Sequence, residues 1–225
     1  MTLRNLHFSE YEKRLSLWLG ASFLFLAIFL KLTSELVENE VQGRDAIILA
    51  AIASLRRPWL TGIAIDLTAL GSMTLVILIS LIALCVLLLL RDRLSASQLV
   101  LNSAGAALLT ILTKNLIERT RPDNVEHLVH VTGFSYPSGH SLVAASLYLT
   151  IAILTAHHLP TLQGRVLLVF IALAVIFLVG MSRMYLGVHY PSDVASGVCL
   201  GVAWALLLAA GFSTSTRRRA HPARA

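Results

Sequence analysis

Residues 67–90 read LTALGSMTLVILISLIALCVLLLL, 24 positions without a single Asp, Glu, Lys or Arg. The hydrocarbon core of a bilayer takes a helix of roughly 20 apolar residues, with about 17–25 tolerated. A run this long has no polar face to turn to water, so it is expected to cross a membrane. Five more segments lack those four residue types: 15–30, 94–113, 141–164, 166–182 and 194–216. The first is short, but Lys31 can snorkel and let the helix run on to Val37. The segment 141–164 is longer than a span needs, and Pro160 is expected to end its helix near His157. Six spans is the simplest count.

Composition agrees. The chain has 225 residues, 56% of them hydrophobic and 13% charged, with a mean hydropathy of +0.77. Soluble domains are about 45–50% apolar and about 25% charged, so a soluble domain and a disordered chain are both excluded. The net charge of +6 raises the possibility of a nucleic-acid partner. Its distribution argues against one, because the basic residues punctuate apolar runs and form no soluble basic face. Cys85 and Cys199 sit inside apolar runs with no CxxC motif, and are expected to be small buried hydrophobes. The fold class expected is all-α, a polytopic membrane protein with six transmembrane helices in a bundle. Residues 1–216 would form one domain and 217–225 a basic cytoplasmic tail.

The first span follows Lys13 and Arg14 but has no small-residue cleavage site before Lys31, so it is read as a retained anchor. Residues 38–66 mix Arg44, Asp45, Arg56 and Arg57 with apolar pairs such as Ile47-Ile48 and Trp59-Leu60. Two readings fit: helices along the membrane interface, or an ordinary loop helix over the bundle. With both termini cytoplasmic, ten Lys and Arg residues fall on the cytoplasmic side, Arg4, Arg217, Arg218, Arg219 and Arg224 among them, and eight on the other. Three of those eight, Lys114, Arg121 and Arg183, belong to the cluster described next; without them the excess is ten against five.

Ionisable residues at membrane depth cost roughly 2.5–3.5 kcal/mol each on insertion scales, so they are functional candidates by default. They gather at three span ends. The third span runs into Lys114-x6-Arg121-Pro122, the fourth opens with Pro137-Ser138-Gly139-His140, and Ser182-Arg183-x5-His189-x3-Asp193 joins the fifth to the sixth. Alternating topology puts all three on one face, here the non-cytoplasmic one. If the third helix continues to Arg121, two turns bring Lys114 and Arg121 onto one side, roughly 10 Å apart. Ser138 is a candidate helix cap, and Gly139 lets a ligand approach the backbone at a helix N-terminus, a ready anion site. Asp193 is four residues after His189, close enough to hold one ring nitrogen and leave the other free. Three permanent cations, a helix N-terminus and two histidines suit a phosphate dianion. No metal-binding residue set accompanies them, and phosphoryl transfer without a metal needs fixed cations on the equatorial oxygens.

These three motifs, in this order and spacing, resemble the signature of the type 2 phosphatidic-acid phosphatase superfamily, which also includes vanadium haloperoxidases and glucose-6-phosphatase. The match covers about residues 114–193. The resemblance implies a membrane lipid phosphatase that needs no cofactor and works through a phosphohistidine. In that scheme His189 attacks phosphorus and Asp193 orients its ring. His140 protonates the leaving oxygen and then activates water. Lys114, Arg121, Arg183, Ser138 and Gly139 hold the phosphoryl oxygens. The carboxylate at i+4 independently favours His189 over His140 as nucleophile.

The partners this implies are the lipid bilayer and a membrane lipid phosphate or pyrophosphate, with no nucleic acid and the oligomeric state left open. The expected location is the inner (cytoplasmic) membrane, with the site on the periplasmic or extracellular face. The motifs leave open a lipid-to-lipid phosphotransferase. A haloperoxidase and an anion transporter fit less well, since a small six-span chain suits a lipid and a transporter needs no His–Asp pair. Other residues are expected to play structural parts. Arg119 reads as an interfacial anchor, Tyr185, Tyr190 and Trp59 as interface-belt residues, and His127 and His130 as solvated loop. His157 and His158 read as span-end residues, and Gly197-x3-Gly201 as a close helix contact.

Overall fold

The computed structural model describes residues 10–156 and 158–220, and within them every regular element is a helix. Arg4, His157 and Arg224, with the side chains of Arg217, Arg218 and Arg219, lie outside the described residues. The order is α1 (Glu10–Val37), α2 (Gln42–Ser54), α3 (Pro58–Ala69), α4 (Met73–Leu89), α5 (Arg93–Ile117), α6 (Gly139–Ala156), α7 (Leu162–Tyr185) and α8 (Pro191–Ala220). Five of these, α1, α5, α6, α7 and α8, are each long and apolar enough to cross a membrane. The pair α3 and α4 passes the same test together, bent by 47°, which gives up to six spans when the pair is counted as one broken span. The protein is a multi-span, all-helical membrane protein.

Sequence punctuation sets the boundaries. Asp92 caps α5 by accepting the Ser95 amide at 3.1 Å, and Thr161 caps α7 by accepting the Gly164 amide at 3.2 Å. Pro58 and Pro191 open α3 and α8, where a missing N–H costs nothing. The expected second span at 67–90 is corrected in detail. Ser72 accepts the Leu75 amide and starts a new helix, so the span breaks between α3 and α4. A Cβ on Gly71 would sit 2.7 Å from Val179 Cγ1 and 3.0 Å from the His140 carbonyl oxygen. Only glycine lets the break pack against the start of α6.

The interior belongs to α6 and α8. Buried Leu142, Leu147, Cys199 and Leu200 pack with Leu99 of α5 and Phe29 of α1. At Gly197 and Gly201 a Cβ would lie 2.5 Å from the Ser138 carbonyl oxygen and 2.4 Å from that of Leu142, so the two backbones touch as expected. Outward faces are aliphatic and aromatic, such as Ile77, Leu81 and Ile82 of α4 and Phe170 and Phe177 of α7. Lipid takes the place of water for these residues. Cys199 is buried, but Cys85 is exposed on this outward surface, contrary to expectation; both are free thiols. Helix α2 turns Asp45 and Leu49 inward and Ile47 and Ile48 outward.

Candidate active site

The three sequence clusters meet at one end of the bundle, around the mouth between α7 and α8. His140 has Arg183, His189, Arg121 and Lys114 as its electrostatic neighbours, so residues from α5, α6, α7 and two loops converge on one spot. Gly139 begins α6, and a Cβ there would be 3.0 Å from Thr110 Cγ2 and 3.8 Å from Lys114 Cε, which sets the helix start against α5. Ser138 is fully buried. Its hydroxyl accepts the Ser141 amide at 3.4 Å and the Ser141 hydroxyl at 3.0 Å, and so serves as the expected cap. Its own amide donates to the Asp193 carbonyl at 2.9 Å, tying the start of α6 to that of α8.

Lys114 and Arg121 do not share a helical face. Helix α5 ends at Ile117, and Glu118 turns left-handed at φ 50°, donating its amide to the Lys114 carbonyl. Arg121 therefore reaches the site from a loop. Its guanidinium is held by carbonyls: Nε donates to Gly133 at 3.0 Å, Nη1 to Val188 at 2.8 Å, and Nη2 to Thr132 at 2.9 Å. Lys114 Nζ donates to the Phe134 carbonyl in the same loop. Arg183 is buried on α7, where Nη1 donates to Thr68 Oγ1 at 2.9 Å and Nε has no partner.

His189 lies between α7 and α8, 2% exposed. Arg121 Nη1 stands 3.5 Å from its Nε2. An arginine only donates, so Nε2 is the acceptor nitrogen and Nδ1 carries the proton of the neutral ring. Nδ1 lies 3.4 Å from Asp193 Oδ2 without an aligned hydrogen bond. Burial drives the His189 pKa down to about 4; Asp193 opposes this, and Arg183 and Arg121 add to it. The ring is neutral at pH 7, with its basic nitrogen turned toward the cations.

Reading the motifs alone missed three residues. Arg119, expected to anchor at the interface, is instead nearly buried. Its Nη1 donates to Asp193 Oδ1 at 2.5 Å and to Ser192 Oγ at 2.8 Å, and its Nη2 to Asp45 Oδ2 at 2.8 Å. Asp45 also accepts the Ser192 amide at 3.0 Å. The one sequence signal available was an acidic residue in the apolar stretch of α2. Tyr190 is not free for a membrane belt, since Arg119 stacks 4.1 Å above its ring. Tyr185 is buried and its hydroxyl accepts the Arg57 amide at 2.9 Å, so it is not a belt residue either. Trp59 is exposed, as a belt residue would be. His127 is tied down, its Nε2 2.6 Å from the Pro122 carbonyl oxygen, while His130 is exposed. Ser182 donates to the Val179 carbonyl of its own helix. Among the described residues no group of three or more His, Cys, Asp or Glu is placed to hold a metal ion.

A family model described as the PAP2 superfamily matches residues 95–217. Phosphatidylglycerophosphatase B of Bacillus subtilis is 37% identical over 197 residues, 87% of this chain and 95% of that protein. An undecaprenyl-diphosphatase of Sulfolobus acidocaldarius is 32% identical over 116 residues, 49% of this chain and 52% of that one. A crystal structure of a transmembrane PAP2-type phosphatidylglycerolphosphate phosphatase from Bacillus subtilis aligns with a TM-score of 0.80. It is 32% identical and covers 90% of this chain and 98% of the other.

Proposed function

Since the chain belongs to the PAP2 superfamily, we propose that it is a membrane lipid phosphatase acting at the pocket formed by Lys114, Arg121, Arg183, His140 and His189. The observation that carries this reading is the convergence of three cations and two histidines on one spot, with a carboxylate behind one histidine. Such a spot binds a phosphate dianion and supplies a nucleophile to it.

In the proposed mechanism Lys114, Arg121 and Arg183, with the start of α6 at Ser138 and Gly139, bind the phosphoryl oxygens. The unpartnered Nε of Arg183 is a buried donor that a phosphoryl oxygen satisfies. His189 Nε2 attacks phosphorus while the bond to the lipid oxygen breaks, and His140 gives that oxygen its proton. Asp193 offsets the charge that forms on the His189 ring. His140 then takes a proton from water as the water attacks the phosphohistidine. Inorganic phosphate leaves and His189 is neutral again. The fixed cations play the part that metals play in other phosphoryl-transfer sites.

The substrate proposed first is phosphatidylglycerophosphate, because the Bacillus subtilis phosphatidylglycerophosphatase B is similar over nearly its whole length. A lipid pyrophosphate is the second reading, since an undecaprenyl-diphosphatase matches part of the chain. The excess of basic residues on one side of the spans supports cytoplasmic termini, a site on the outer face of the cytoplasmic membrane, and 217–225 as a basic tail after a single domain. The test is phosphate release from phosphatidylglycerophosphate, undecaprenyl pyrophosphate, phosphatidic acid and lipid A in detergent. Release by the wild type and not by His189→Ala is expected; equal release by both overturns the reading.

A further inference from the structure

The reaction outlined above uses Asp193 but leaves Asp45, which is buried, and Arg119, which is nearly so, unexplained. Two sides of the Asp193 carboxylate are occupied differently. Oδ2 accepts the Tyr190 amide at 2.9 Å and faces His189 Nδ1, while Oδ1 accepts Arg119 Nη1 at 2.5 Å. Arg119 is in turn shared: Nη2 donates to Asp45 Oδ2 at 2.8 Å, and Cζ lies 4.1 Å from the centre of the Tyr190 ring. Asp45 also takes both the amide and the hydroxyl of Ser192, the residue before Asp193. One cation thus stands between two carboxylates, and one of those carboxylates holds the backbone that carries the other.

We propose that Asp45 and Arg119 are positioning residues for the Asp193–His189 pair. Arg119 fixes the carboxylate rotamer, and Asp45 holds Arg119 in place and draws off part of its charge. The inference rests on the phosphatase reading. A full guanidinium charge on Asp193 would compete with the His189 ring for the same carboxylate. Divided between Asp45 and Asp193, that charge orients Asp193 and leaves its second oxygen available to the ring. Helix α2, which lies far from the motifs in sequence, is thereby tied to the nucleophile.

The two residues carry opposite charges, so their removal has opposite signatures at His189. The groups facing His189 are Asp193 of α8, Arg183 of α7, Arg121 of the loop and His140 of α6; Lys114 of α5 stands beside His140 and Asp193, and beyond Asp193 lies the Arg119–Asp45 pair. Arg119→Gln removes a cation and is expected to raise the His189 titration midpoint. Asp45→Asn removes an anion and is expected to lower it. Both are expected to reduce kcat by about 10–100-fold, the scale for partners that orient a reacting group, with KM within about twofold.

The experiment uses the full chain in detergent, with phosphate release from phosphatidylglycerophosphate and NMR titration of the histidine ring nitrogens, His189 being assigned with His189→Gln. Arg44→Gln, an exposed α2 residue paired with Glu35, is the control and should change neither readout. Arg119→Lys keeps the charge but loses the two-armed hold, so it should leave the titration in place and lower kcat; it also serves if Arg119→Gln does not fold. Midpoints that move in the same direction in Asp45→Asn and Arg119→Gln, or full kcat in both or in Arg119→Lys, overturn the inference. If the wild type releases no phosphate from any lipid while the midpoints still move apart, the phosphatase reading falls and the charge coupling stands.

Discussion

Arg121 Nη1 sits 3.5 Å from His189 Nε2, the nitrogen proposed to attack phosphorus. The arginine does not depend on the histidine for its place, because four loop carbonyls hold its guanidinium. It is a preset donor at the point where charge develops in transfer.

Arg121→Lys keeps the charge but cannot satisfy those carbonyls in the same geometry. Phosphate release is expected to fall by about 10²–10³, the scale for losing one charge-stabilising donor. Steady-state assays on the substrate cleaved by the wild type check it, and a loss under tenfold contradicts it.

His189 titrates near 4 in the folded protein against 6.5 for a free histidine. An unfolded chain takes up this proton as pH falls through 6.5, and the folded chain resists until about 4. The contribution to stability is therefore complete above pH 6.5 and lost as pH falls through that window, at up to about 1.4 kcal/mol per pH unit. His189→Gln lacks the effect. Unfolding midpoints in detergent at pH 7.5 and pH 5 should show the advantage of wild type over His189→Gln shrinking at the lower pH.

Gly201→Ala drives a methyl group to within 2.4 Å of the Leu142 carbonyl oxygen, where backbone meets backbone. Overpacking of this kind costs about 1–3 kcal/mol. Gly20→Ala in α1 meets nothing within 4 Å and should gain about 0.5–1 kcal/mol from helix propensity. Thermal unfolding of the two variants should move in opposite directions.

Vanadate, which takes the shape of the pentacoordinate phosphoryl group, should inhibit competitively with lipid. Chelators should leave phosphate release unchanged, because Lys114, Arg121 and Arg183 supply the charge. Loss of activity in chelator that magnesium restores would contradict the proposed mechanism.

The spans were legible because bilayer burial imposes a length and an apolar composition that any reader can count, as in 67–90. The candidate site residues were legible as a cluster because Lys114, Arg121, Arg183, His140, His189 and Asp193 are charged or titratable at span ends, where such groups are rare. What the spacing misjudged was local. The helix carrying Lys114 stops at Ile117, and the left-handed turn at Glu118 is one that no residue type there announces. Arg119 read as an anchor because an arginine at a span end has an ordinary use at the membrane surface. Its actual partners, Asp45 and Asp193, are 74 residues away on either side.

Sequence alone determined that this chain lives in a bilayer, which segments are apolar and long enough to cross it, and which charged side chains gather at the span ends that meet at one end of the bundle. Tertiary structure alone decided how those side chains are held: that loop carbonyls carry Arg121, that the α3–α4 break rests on the start of α6, and that Asp45 reaches Asp193 through Arg119. The reason is physical. Membrane insertion is read out segment by segment from composition, whereas a buried charge takes whatever partner the packed helices bring to it.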